Sequence, residues 1–274
     1  MNIVFGKGFL GTRIAHEMSY EIAGREETDV LNPSSIGSYL DRKKPSIVIN
    51  AVGKTGRPNI DWCEENKEET VQSNILAAAN LCTESIKRGI YFVHLSSGCI
   101  YFGDKGGEGY NEVDEPNFYS SFYSRTKIIA EKILKEFPCL QLRIRMPVDD
   151  RPHDRNFIDK ITKYPKVINV QNSMTTVPHM IDAAKKLIGK RATGIYNLVN
   201  PGAIGAAEIV QMYQKIVNPS HRFSIMTLNE LDSITKARRS NCILNTDKLA
   251  REGINLPEIH QAIEECLLKY KDAK

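Results

Sequence analysis

The first 146 residues alternate between two hydrophobic rhythms. Short apolar, β-rich runs occur at 2–5 (NIVF), 46–53 (SIVINAVG), 90–97 (IYFVHLSS) and 140–146 (LQLRIRM). Between them lie longer stretches whose apolar residues return every three or four positions: 9–19 (FLGTRIAHEMS), 67–89 (KEETVQSNILAAANLCTESIKRG) and 121–137 (SFYSRTKIIAEKILKEF). The longer period marks amphipathic helices; a short continuous apolar run marks a strand buried on both faces. Gly89 closes the second helix, a usual terminator. Strands alternating with helices build a parallel sheet covered on both sides, so the pattern predicts an α/β, Rossmann-like doubly wound fold.

After Pro147 the rhythm loosens into polar loops and shorter helices. The run 194–202 (GIYNLVNPG) reads as a late strand, and 205–217 and 256–271 as helices. The expected organisation is a dinucleotide-binding Rossmann core over 1–146 and a smaller C-terminal substrate-binding lobe over 147–274, with a strand and helix at 178–200 returning to the core.

A chain of 274 residues has room for that arrangement. Its net charge of +4, from 37 basic and 33 acidic residues, is too mild for a nucleic-acid partner but suits a phosphorylated small substrate. No apolar run approaches the ~20 residues of a membrane span, and the opening MNIVFGKG lacks a basic-then-apolar signal pattern. Six cysteines without CxxC spacing read as reduced thiols, so the expected location is cytoplasmic. Six histidines without HxH or HExxH spacing give no reason to expect a metal site.

Gly6, Gly8 and Gly11 form GxGxxG directly after the first strand, and Phe9 and Leu10 open the following helix. A pyrophosphate needs a tight turn, close backbone approach and amides at a helix N-terminus, and this context supplies all three. Where NAD-selective sites carry an acid, this chain reads Gly24-Arg25-Glu26-Glu27. Arg25 suits a 2′-phosphate and favours NADPH, with NADH second; Asp29 is a candidate neighbour of the adenine or a plain loop acid.

Tyr123 and Lys127 are four apart and share one helix face. A neighbouring ammonium favours the phenolate, lowering the tyrosine from its usual ~10 and making it a proton donor to a ketone. Ser97, at the end of the preceding strand, is a candidate second donor to that oxygen. YxxxK alone is common. Combined with the glycine loop and Ser97 it resembles the extended short-chain dehydrogenase/reductase superfamily, where Ser/Thr, Tyr and Lys serve hydride transfer. INAVG at 49–53 resembles that superfamily's strand end beneath the cofactor, through Asn50, Ala51 and Gly53, and Asn74 its structural helix asparagine.

Longer stretches narrow the resemblance: NAVGKTGRPNIDWCE (50–64), GCIYF (98–102), PNFYSSFYSRTK (116–127), RIRMPV (143–148), RNFIDKITKYPKV (155–167), NSMTTV (172–177) and RRSNCILNTDKL (238–249). They are similar to the plant nucleotide-rhamnose synthase/epimerase-reductase family, itself similar in fold to dTDP-4-dehydrorhamnose reductase. The resemblance implies 3,5-epimerisation and 4-reduction of UDP-4-keto-6-deoxy-D-glucose to UDP-L-rhamnose with NADPH. It also implies a homodimer, and a nucleotide-glucose 4,6-dehydratase as the upstream partner enzyme. Two departures stand out: the glycine loop is one residue shorter than the family's GxxGxxG, and the segment between Cys99 and Tyr123 is shorter.

A 4-keto group acidifies the protons on C3 and C5, because the carbanion spreads onto the ketone oxygen. Inversion then needs an acid/base pair in addition to the donors that reduction already uses. Cys99, two residues past Ser97, would face the same sugar on extended backbone, and a thiol near pKa ~8.5 reaches either protonation state. A lone cysteine is more often a small buried hydrophobe, and Cys63, Cys82, Cys139, Cys242 and Cys266 are read that way. The resemblance assigns epimerisation to Cys99 and the second acid/base role to Lys160, ahead of His153 and His179. It also implies Arg238, Arg239 and Ser240 as substrate contacts. Asn156 is a candidate donor to the diphosphate, Arg57 and Asp61 candidate neighbours of the sugar, and Lys54 a residue facing cofactor or solvent. Each has an ordinary surface role as its alternative. The competing functions are a monofunctional dTDP-4-dehydrorhamnose reductase, a GDP-4-keto-6-deoxymannose epimerase/reductase, and a non-catalytic NADP-binding regulatory subunit like the methionine adenosyltransferase β subunit.

Overall fold

The apolar runs become the strands of one sheet. The computed structural model describes residues 1–274. In chain order it runs β1 (Asn2–Phe5), α1 (Phe9–Met18), β2 (Glu21–Ala23), α2 (Pro33–Lys43), β3 (Ile47–Asn50), α3 (Asp61–Glu65) and α4 (Lys67–Val71). A π-helical turn (Gln72–Leu76) leads into α5 (Ala77–Ile86), followed by β4 (Tyr91–Ser97), α6 (Phe122–Lys135) and β5 (Leu140–Ile144). Then come α7 (Phe157–Ile161), β6 (Lys166–Ile168), α8 (Val177–Gly189), β7 (Gly194–Asn197) and α9 (Ala206–Ile216). β8 (Ser224–Met226), α10 (Leu228–Ile234), α11 (Asp247–Arg251) and α12 (Ile259–Asp272) complete the chain. No helix is long and apolar enough to cross a membrane.

Two compact units emerge. The first comprises residues 1–100, 118–143 and 185–196, and the second residues 101–117, 144–184 and 197–274. In the first, six strands form a sheet in the order β2-β1-β3-β4-β5-β7, with β2, β1, β3 and β4 pairing in parallel. The chain leaves β1 for β2 on one side, then returns to β3 on the other. The carboxyl ends of β1 and β3 therefore flank a switch point, where open α/β sheets bind ligands. Its core joins Ile3, Phe5, Val48 and Phe92 of the sheet to Ile36 and Leu40 of α2 and Leu81 of α5.

Three local features differ from the sequence pattern. The helix expected over 67–89 contains the π turn, whose extra residue per turn redirects Asn74. The strand expected over 46–53 stops at Asn50, where the chain must turn over the glycine loop. Helix α2 was not expected, although its signal is present: Asn32 accepts the Ser34 and Ser35 amides, and Pro33 sits in the first turn.

In the second unit, Ile209, Val210 and Tyr213 of α9 pack with Ile263, Leu267 and Tyr270 of α12 and Ile158 of α7, beside the parallel pair β6–β8. Residues 101–117, which the hydrophobic rhythm leaves in the N-terminal part, group here because their backbone partners are here. Gly103 bridges Cys242, Tyr110 bridges Leu244, and the Tyr101 and Tyr110 rings stack 4.5 Å apart. The buried Arg145 guanidinium holds this arrangement, donating to the Ser240 hydroxyl (2.9 Å), the Ser240 carbonyl (2.6 Å) and Asn172 Oδ1.

The glycine loop has the least slack. A Cβ on Gly11 would stand 1.9 Å from the Gly6 carbonyl oxygen, and one on Gly6, at φ +109°, would meet Ala51 backbone at 2.9 Å. Gly11→Ala is therefore expected to lower unfolding free energy by about 2 kcal/mol or more, read from urea denaturation.

Candidate active site

At the switch point, Gly8 caps α1 without a side chain, and a Cβ there would meet nothing within 4 Å. Gly6 and Gly11 thus serve the fold, while Gly8 leaves open the approach to the helix N-terminus that a pyrophosphate requires. Phe9 and Leu10 form the first turn of that helix. Lys7, between the first two glycines, reaches Glu26 (2.6 Å) and Glu27 (2.7 Å), so the two acids that follow Arg25 share one ammonium. Arg25 itself is exposed. Asp29 is occupied by its own turn, where Oδ1 accepts the Leu31 amide (2.9 Å).

Past β3, Asn50 corrects its expected place beneath a cofactor. Its side chain is fully buried, donating to His94 Nδ1 (3.0 Å) and accepting the Val52 amide (2.9 Å). Only the backbone of this strand end faces the loop, with the Ala51 carbonyl 3.0 Å from where a Gly6 Cβ would lie. Asn74, swung inward by the π turn, accepts the Lys54 amide (2.7 Å) and donates to the Lys54 carbonyl and Thr126 Oγ1 (both 3.1 Å). It thereby fastens the β3 loop to α6. Gly53, itself exposed, borders this joint: a Cβ would sit 3.3 Å from Asn74 Oδ1 and 3.6 Å from Lys127 Nζ.

The distinctive 54–64 loop frames this area. Lys54 lies over the Trp62 ring (4.8 Å) and pairs with Glu69 (2.9 Å). Glu64 accepts the Phe122 amide (2.5 Å) at the start of α6. Arg57 is exposed and Asp61 half-buried.

Ser97 ends β4, and Cys99 lies beyond it in a turn, which corrects the expectation of continued extended backbone. Their proximity has another cause. The Cys99 amide donates to Ser97 Oγ (3.1 Å), a serine turn that closes over two residues. The Cys99 carbonyl in turn accepts the Ser124 hydroxyl (2.6 Å), and Ser121 caps α6 through the Ser124 amide (3.1 Å). These bonds lash the end of β4 to the first turn of α6, which carries Tyr123. One turn on, Lys127 Nζ contacts the Leu95 carbonyl (3.4 Å). Cys99 is half-buried; Ser97, Tyr123 and Lys127 are buried.

Burial lowers the Lys127 ammonium to about 8, against the opposing effect of Glu131 and Cys99, which raise it. Burial, aided by the Lys127 charge, holds His94 well below the imidazole range, so it is neutral. The site thus joins a phenol, a partly deprotonatable amine and a thiol outside any disulfide. Sequence reading missed the parts that hold them: Ser124, Thr126, His94 and Glu131. Ser121, ahead of an apolar-periodic run, was the available signal: it is the N-cap whose oxygen accepts the Ser124 amide.

The remaining candidates belong to the second unit. Asn156 is a correction: it caps α7 and is wholly spent on its own loop. Its Oδ1 accepts the Asp149 and Ile158 amides, and its Nδ2 donates to the Asp149 and Arg151 carbonyls. Ser240 is likewise committed, donating to the Tyr101 carbonyl (2.6 Å) while accepting from Arg145. Arg239 donates to the Ala237 carbonyl (2.6 Å), whereas Arg238 is exposed. Lys160 lies half-buried in α7. His153 is exposed, and His179 is held between Thr176 Oγ1 (2.8 Å) and Glu265 (3.3 Å).

Residues 2–272 match the family model of the RmlD substrate-binding domain. A bifunctional dTDP-4-dehydrorhamnose 3,5-epimerase/dTDP-4-dehydrorhamnose reductase of Arabidopsis thaliana is 40% identical over 86% of this chain and 79% of its own length. A trifunctional UDP-glucose 4,6-dehydratase/UDP-4-keto-6-deoxy-D-glucose 3,5-epimerase/UDP-4-keto-L-rhamnose-reductase of the same plant is 38% identical over 98% of this chain. The chain spans only 41% of that relative's length. Among solved structures, the L780 UDP-rhamnose synthase of Acanthamoeba polyphaga mimivirus superposes with a TM-score of 0.92 at 29% identity, covering 98% of this chain and 99% of that one. A dTDP-4-dehydrorhamnose reductase of Bacillus anthracis, in complex with NADP, shares the fold at a TM-score of 0.83 and 20% identity, over 98% of each chain.

Two outcomes follow from the geometry. Gly8→Ala should cost no more than about 1 kcal/mol of stability yet weaken dinucleotide binding, read by fluorescence titration. Lys127 at about 8 in the folded state lies below its ~10.4 when unfolded. Its burial therefore costs stability below pH 8, a cost that fades as pH rises from about 8 to 10.4. Lys127→Met is expected to raise unfolding free energy at pH 7 by on the order of 2 kcal/mol, and to gain nothing at pH 11.

Proposed function

Since the chain belongs to the RmlD substrate-binding family, we propose that it is an NADPH-dependent nucleotide-sugar oxidoreductase that also epimerises. It converts UDP-4-keto-6-deoxy-D-glucose to UDP-L-rhamnose by 3,5-epimerisation and 4-reduction. The observation that carries this reading is the lash at the end of β4, which gathers a donor hydroxyl, a thiol and the Tyr123–Lys127 helix face. The activities for which the plant relatives are named support it. A reductase alone needs neither Cys99 nor Lys160.

NADPH supplies the hydride for C4 when bound, and the residues present fit it: Gly8 keeps the α1 N-terminus open, and Arg25 is free to meet a 2′-phosphate. Ser97 Oγ already accepts the Cys99 amide, so its hydroxyl proton is left to donate to the 4-keto oxygen. Tyr123 donates to the same oxygen. In epimerisation, Cys99 and Lys160 act as the acid/base pair. One removes the proton from C5 or C3, the enolate oxygen is held by Ser97 and Tyr123, and the other returns a proton on the opposite face. In reduction, C4 receives a hydride and its oxygen the Tyr123 proton, while Lys127 stabilises the resulting phenolate. The ketone substrate must come from a nucleotide-sugar 4,6-dehydration, and the trifunctional plant relative carries that activity in its name. The working assembly is a homodimer.

The test is an NMR assay with UDP-4-keto-6-deoxy-D-glucose and NADPH in heavy water. UDP-rhamnose deuterated at C3 and C5 is the expected product. Cys99→Ala should abolish exchange but still reduce a pre-epimerised substrate. Unoxidised NADPH and no exchange would overturn the UDP assignment, with the dTDP and GDP sugars next in line.

A further inference from the structure

Tyr123, Lys127 and Glu131 recur every fourth residue along α6, and all three are buried. The third carries no proton in the proposed chemistry. Glu131 is 4% exposed, and its carboxylate is fixed from three directions. Oε2 accepts the Ser96 hydroxyl (2.9 Å) and Arg143 Nε (2.8 Å), and Oε1 accepts Arg143 Nη2 (2.7 Å). Ser96 lies on β4 beside Ser97, and Arg143, 1% exposed, on β5.

A buried ion pair is a poor way to stabilise a core. Apolar residues of the same size do as well or better, because desolvating two charges consumes the attraction between them. The pair therefore calls for another explanation, and Lys127 supplies one. Its ammonium is enclosed with a single long contact, to the Leu95 carbonyl. The other groups around it bring no firm negative charge. Asn74 Oδ1 is spent on the Lys54 amide, and His94 is neutral with its Nδ1 taken by Asn50. Gly53 contributes only backbone, and the Lys54 ammonium is paired with Glu69. Tyr123 and the Cys99 thiol change charge during the chemistry itself. That leaves the Glu131 carboxylate, one helical turn away.

We propose that Glu131 is a positioning residue that keeps Lys127 protonated, its carboxylate locked in place by Arg143 and Ser96. The inference rests on the reading of Lys127 as the residue that prepares Tyr123 for proton donation. A carboxylate free to rotate would turn to water or form a direct pair with Lys127. Held by Arg143, it acts on Lys127 through its field rather than through a direct pair. Burial lowers the amine and the Glu131 charge opposes that fall, which agrees with this division of labour.

The experiment follows the 13Cε resonance of Lys127 in lysine-labelled protein against pH, assigned by its loss in Lys127→Met. Glu131→Gln should move the Lys127 midpoint down by about one pH unit or more. The alkaline limb of kcat for the 4-reduction should move the same way, a loss of about fivefold at pH 8. Glu131→Asp, which keeps the charge, should recover most of both. Because Glu131→Gln strands the Arg143 guanidinium and threatens folding, Glu131→Gln/Arg143→Gln provides the same measurement without a stranded charge, with a downward shift again expected. A Lys127 midpoint unchanged in a folded variant, with only Tm lowered, would make the Glu131–Arg143 pair a strut and overturn the proposal. The NMR midpoint needs no turnover. A parent protein that does not reduce the sugar would count against the proposed function alone, and the titration would still decide the role of Glu131.

Discussion

An enclosed ammonium is the hardest demand this fold meets. Protein interiors disfavour an isolated charge, and Lys127 sits in one with a single carbonyl nearby. Much around it reads as accommodation. Asn74 arrives by a π turn, an irregularity that costs helix regularity and recurs at functional sites. His94 surrenders its charge, Gly53 gives up its side chain, and β4 is lashed to α6 by serine hydroxyls rather than by apolar contact alone. A core optimised for packing would contain none of these.

The glycine loop shows the same tension between support and access. Two of its glycines are dictated by contacts within the chain, because a methyl at either would strike backbone. The middle one is under no such constraint, because a methyl there would meet no protein atom within 4 Å. Loop and lash lie in the same unit, around strands β1, β3 and β4. Both therefore hang on the ends of one sheet, where open α/β folds generally bind ligands.

How legible this was depended on the range of each interaction. The glycine triplet and the Tyr123–Lys127 spacing were readable because both report local backbone geometry. Strand β2 was not, since three residues give too few positions to establish a period. Asn50 and Asn156 were misread for a common reason. An asparagine at a strand or helix end suits a ligand and suits the backbone equally, and only the hydrogen-bond partners decide. Cys99 reached the expected neighbourhood by a turn instead of by strand alternation. Glu131 was invisible because a carboxylate at helical spacing from a lysine is ordinarily a solvated partner, and its burial depends on Arg143 arriving from β5. Residues 101–117 changed unit because their partners lie more than a hundred residues downstream.

That interleaving has a consequence for how such a protein can be inherited. The chain passes from one unit to the other five times, so neither unit is a continuous stretch. No single cut in the chain separates them, and wherever the cut falls at least one core loses part of its residues. A lobe of this architecture therefore cannot be exchanged by a single crossover, since the segments that build it are scattered along the chain.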